Sequence, residues 1–103
     1  MADTSSFMHA TVVEEEFEFT LVQLSRACRV QREQVVALVE EGVLQPQGEA
    51  PEEWRFAGRS LRRARTALRL ASDLELSAAS AALVLDLLDQ IDTLQARLRR
   101  AGG

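Results

Sequence analysis

Residues 19–46 read FTLVQLSRACRVQREQVVALVEEGVLQP, and the fold turns on how this stretch divides. Thr20 has the side chain of a helix N-cap, Gln23 follows at capping-box spacing, and Phe19 and Leu24 flank them as a hydrophobic staple. That predicts a first helix running to about Cys28, followed by a tight turn in ACRVQR. A second helix is expected over Arg32 to Glu41, its apolar Val35, Val36, Leu38 and Val39 facing the first. Gly42 supplies a left-handed residue after it, and Val43 can fold back on Leu38 in a Schellman arrangement. Two short capped helices joined by a tight turn make a helix-turn-helix.

Upstream, TVVEEEFEFT (residues 11–20) alternates: Val13, Phe17 and Phe19 share one parity, Glu14, Glu16 and Glu18 the other. This is the pattern of a short edge strand, broken only by Glu15. Residues 1–12 carry little periodicity and are expected to be a flexible N-terminus. Downstream, Val43-Leu44 and Trp54-Arg55-Phe56 flank a loop rich in Gly, Pro and Glu, which reads as a small β-hairpin, or wing. A third helix with a stripe of Leu61, Ala64, Leu68 and Ala71 should end near Asp73. Ser77 then caps a long last helix. The expected organisation is a body over residues 13–74 and a terminal helix over 75–103 for packing and dimerisation.

In that last helix Val84, Leu87, Ile91, Leu94 and Leu98 step by three and four, the spacing of a coiled-coil seam. Leu83, Leu85 and Leu88 lie beside it and make the stripe too broad for one contact. We therefore expect one edge to pack on the body and the other across a homodimer.

With 103 residues and 47% apolar composition, the chain is one small folded domain that a dimer would help to stabilise. Its net charge of −4 hides an asymmetry. Residues 1–57 hold eleven acids and four arginines, net −7; residues 58–103 hold five acids and eight arginines, net +3. Every basic residue is arginine, which we attribute to genome composition. The single cysteine, Cys28, excludes an internal disulfide and suits a reducing compartment. With no apolar run of membrane-spanning length and no signal-peptide pattern, the expected location is cytoplasmic.

The order strand, helix-turn-helix, wing, helix and long terminal helix resembles the MerR-like winged-helix family. The quoted stretch 19–46 carries the likeness, with Trp54-Arg55-Phe56 leading into an arginine-bearing helix. Within that family the blocks FEFTLVQL, WRF and ALVLDLLDQIDTLQARL are similar, at matching spacing, to the CbpM-type chaperone modulators. The resemblance implies a mainly α fold, no enzymatic activity, and one partner above all. That partner is the J-domain of a DnaJ-like co-chaperone of the CbpA type, whose stimulation of DnaK such proteins block.

Charge separates this from a DNA-binding regulator of the MerR type, the alternative the fold order raises. Phosphate contact needs cations on the second helix and wing. Here the second helix offers Arg32 against Glu33, Glu40 and Glu41, and the wing offers Arg55 against Glu49, Glu52 and Glu53. The third helix does carry Arg59, Arg62, Arg63, Arg65 and Arg69, which we read as a solvated face paired with wing and second-helix acids. No aromatic residue is interleaved there to stack on bases.

A J-domain, by the resemblance, presents a basic helix, so its captor should be acidic. Two patches qualify. Asp86, Asp89, Gln90 and Thr93 lie on adjacent stripes of the terminal helix, with Asp92 across the seam from them. Glu49, Glu52 and Glu53 lie in the wing. Either set reads equally as solvating residues. No catalytic or metal constellation is present: His9 sits in the N-terminal tail, Cys28 in an apolar helix, and no Gly-rich loop follows a strand. No cofactor is expected.

Overall fold

The computed structural model describes residues 18–102. Residues 1–12, expected to be flexible, with His9, and most of the expected upstream strand, including Val13 and Phe17, lie outside those residues. The elements are β1 (Glu18–Phe19), α1 (Leu21–Cys28), α2 (Arg32–Glu40), β2 (Phe56–Ala57), α3 (Gly58–Leu74) and α4 (Ala78–Gly102), with a 3-10 turn at Pro51–Glu53. Helix dominates, as expected.

The capping box at α1 forms in both directions. The Gln23 amide donates to Thr20 Oγ1 at 3.1 Å, and the Thr20 amide donates to Gln23 Oε1 at 2.9 Å. Leu24 is fully buried, with Phe19 packed against the same core. Arg29 closes the helix in the left-handed region, at φ 60°, and the Val30 amide donates to the Ser25 carbonyl at 3.1 Å. That reversal delivers α2 against α1. At the end of α2, Gly42 adopts φ 78° and donates to the Val39 carbonyl, while the Val43 amide donates to that of Leu38 at 2.9 Å. This is the Schellman arrangement read from the sequence. The helix itself ends at Glu40, one residue sooner than expected.

The wing differs from its expected form. Val43 and Leu44 are not hairpin arms: both are buried in the core that also holds Leu24, Val35, Leu38 and Phe56. Their backbone completes the helix stop and their side chains fill space beneath α3, so neither is free to pair. The loop closes instead through one antiparallel bridge, Gln47 with Arg55, by hydrogen bonds of 3.0 and 2.9 Å. The following residues, Phe56 and Ala57, pair antiparallel with Phe19 and Glu18. The two-stranded sheet thus joins the entry of α1 to the exit of the wing. Trp54 sets its ring edge-on to Phe56, centroids 5.9 Å apart.

In α3 the buried stripe is Leu61, Ala64 and Ala67. Leu68 and Ala71, expected to continue it, are only half-buried. The contact drifts because small Ala64 and Ala67 let α3 approach its neighbours closely, and a straight helix does not hold one residue set to a face for long. Ser77 Oγ accepts from the Ser80 amide at 3.1 Å and starts α4, as its sequence indicated. Ala81 and Leu85 are the buried residues of α4, so only its opening turns are anchored.

Candidate interaction surfaces

Beyond Leu85 no residue of α4 is buried. Leu87, Ile91, Leu94 and Leu98 are 49, 48, 54 and 70% exposed, and Val84 is half-buried. Leu85 joins the core with Ala78 and Ala82 packed against it, and Ala81 is buried beside them, on the opposite side of the helix from this seam. Leu83 and Leu88, also expected beside the seam, remain exposed.

The same helix positions the acidic patch. Asp86, Asp89, Gln90 and Thr93 line a single open depression, joined by Leu94 and Arg97. Thr93 spends its hydroxyl proton on the Asp89 carbonyl at 3.0 Å, leaving only lone pairs to face outward. Asp92 takes no part in this depression. It shares with Asp89 a larger groove between α4 and α3, floored by Leu85 and Leu88. The link between those two aspartates therefore runs along the body side of the helix rather than across the seam.

The surface of α2 and the wing is acidic where a DNA reader would be basic, while Arg26 and Arg29 are exposed on α1 and the turn. Glu33, Glu40 and Glu41, at and just after α2, and Glu49, Glu52 and Glu53 of the wing are all exposed, against Arg32 and Arg55. The wing acids are held by the 3-10 turn, where the Glu53 amide donates to the Ala50 carbonyl at 2.8 Å. They line none of the depressions that receive the α4 acids.

Arg63 of α3 takes partners other than the wing and α2 acids expected for the arginines of this helix. Arg63 donates its Nε–H to the Val43 carbonyl at 2.9 Å and sets Nη2 3.1 Å from Asp89 Oδ2. It thereby ties α3 to the end of α2 and to α4 at once. Sequence reasoning passed over this role, because the partners lie 20 and 26 positions away and no local spacing signals them. Cys28, expected in the core, is half-buried at its edge. Burial raises its thiol above the ordinary value of 9.0, opposed by the Arg65 charge. Among the described residues no three His, Cys, Asp or Glu side chains group as a metal site, and no helix is long and apolar enough to cross a membrane.

A short sheet clasping a helix-turn-helix, a one-bridge wing and an outlying terminal helix define a MerR-like winged helix-turn-helix protein, and the family described as MerR HTH family regulatory protein matches residues 19–101. Sequence relatives sharpen this. The chaperone modulatory protein CbpM of Coxiella burnetii (strain Dugway 5J108-111) is 33% identical over 93% of this chain and 91% of its own. Those of Pseudomonas entomophila (strain L48) and Pseudomonas putida (strain W619) are 35 and 41% identical, over 70 and 59% of this chain and 71 and 60% of their own. The chain belongs to the CbpM family of chaperone modulatory proteins.

Proposed function

We propose that this chaperone modulator binds the J-domain of a DnaJ-like co-chaperone of the CbpA type and inhibits its co-chaperone activity. The observation that carries the reading is the sign of the exposed charge. Six carboxylates against two arginines stand on the α2 and wing surface, and a second acidic patch stands on α4. Such a surface repels a duplex and attracts a basic protein helix. The terminal-helix patch is the preferred contact: its acids sit on one rigid helix beside exposed Leu94, so apolar contact can add to charge.

The same reading makes the protein a cytoplasmic homodimer. Leu87, Ile91, Leu94 and Leu98 form a seam that none of the described residues covers, and a second copy is its natural occupant. Titration of the full chain with the cognate J-domain tests the partner. Binding is expected at low ionic strength and should weaken as salt is added; no binding at low salt removes the proposal. A gel shift on duplex DNA under the same conditions would favour the alternative, a DNA-binding regulator using the α3 arginines.

A further inference from the structure

Arg63 stands among the acids that would face a basic partner. With Glu41 and Asp86 it lines one small depression. With Asp89 and Asp92 it lines the larger groove between α3 and α4, and it is ion-paired to Asp89. Its Nε–H is held by the Val43 carbonyl, so the guanidinium is fixed in position rather than swinging through solvent. Its side chain keeps 37% exposure, and that of Asp89 53%, so both are open to a competitor.

Resting on the J-domain reading above, we infer that Arg63 is an internal competitor for the partner's cations, a positioning residue that lowers affinity and raises selectivity. In the free chain its positive charge offsets part of the field of Glu41, Asp86, Asp89 and Asp92, in a groove that Arg59 and Arg62 also line, and Asp89 is the carboxylate it pairs directly. A cation from the partner must displace it from Asp89 or share that carboxylate. A weakly basic surface cannot do so profitably, whereas a fixed row of Lys or Arg on a helix can, because several charges act together. An exposed ion pair is worth little in isolation, so the restraint is modest and reversible.

The test is calorimetric titration of full-length wild type and Arg63→Gln with the J-domain, at low and high salt. Arg63→Gln should bind about two- to fivefold more tightly at low salt, with a steeper loss as salt rises. If wild type binds and a folded Arg63→Gln binds equally or more weakly, the inference falls while the J-domain reading stands. If wild type does not bind, the reading itself falls. A measurement on unaltered protein is independent of whether the variant folds. The Arg63 guanidinium NMR signals should shift when J-domain is added, and signals that stay fixed at saturation overturn the competition.

Discussion

Gly48 lies directly beneath the carbonyl of Glu53: a Cβ on Gly48 would fall 2.7 Å from that oxygen, and its φ of 114° is one that other residues rarely adopt. The wing therefore closes only around glycine, and this contact sets where Glu49, Glu52 and Glu53 are carried.

Replacement of Gly48 by alanine meets both the clash and the backbone strain, and should cost about 1–3 kcal/mol. Gly42 offers a comparison. Its φ is 78°, but a Cβ there has open space, so Gly42→Ala should cost only about 1 kcal/mol. Urea unfolding of the two variants checks the order. A Gly48→Ala protein as stable as wild type would mean that the wing is not built this way.

The stop and start signals were legible because each is written within four residues: Thr20 with Gln23, Gly42 with Val39, Ser77 with Ser80. The wing was not. Val43 and Leu44 have the composition of a strand, but they lie where the helix stop points two apolar side chains into the core, and tertiary burial outweighed β-propensity. That Leu87, Ile91, Leu94 and Leu98 share one side of α4, and Asp86, Asp89, Gln90 and Thr93 another, was readable from helical spacing, since an exposed helix keeps its period. Which edge of α4 meets the body was not readable, because that depends on alanines in α3 and α4 that fit each other only after the chain has folded.

Leu85 and Ile91 separate folding from assembly. Leu85 is buried against the core, and Leu85→Ala should destabilise the chain by about 2–4 kcal/mol. Ile91 is half-exposed on the single chain, so Ile91→Asp should leave helical circular dichroism intact while converting the proposed dimer to a monomer. Sedimentation equilibrium reads the mass. An Ile91→Asp protein that keeps the dimer mass would place the interface elsewhere.

Cys28 gives a pH dependence with a definite sign. Desolvation raises its folded-state pKa above the unfolded 9.0, so the folded chain holds the thiol proton more firmly. The associated stability is complete below pH 9.0 and is lost as pH climbs through the raised value. Cys28→Ala should therefore flatten the alkaline side of the stability curve. Iodoacetamide should also alkylate native Cys28 more slowly than the urea-unfolded chain at pH 8, and equal rates would show that burial does not protect the thiolate equilibrium.

The two acidic patches make forecasts of different size for the J-domain. Asp86→Asn with Asp89→Asn removes two charges from one face of α4 and leaves Arg63 without its carboxylate, so an unpaired cation then confronts a basic partner. Loss of attraction and gain of repulsion act together, and affinity should fall by about tenfold or more at low salt. The triple change Glu49→Gln, Glu52→Gln and Glu53→Gln removes more charge, but from a loop whose acids line none of the depressions around α4, so it should weaken binding by only about twofold through the general field. Both variants alter exposed side chains and should keep the wild-type melting temperature within a few degrees. Titrations of each with the same J-domain decide between the surfaces: if the wing variant loses the most affinity, the contact belongs to the wing and α4 serves assembly alone.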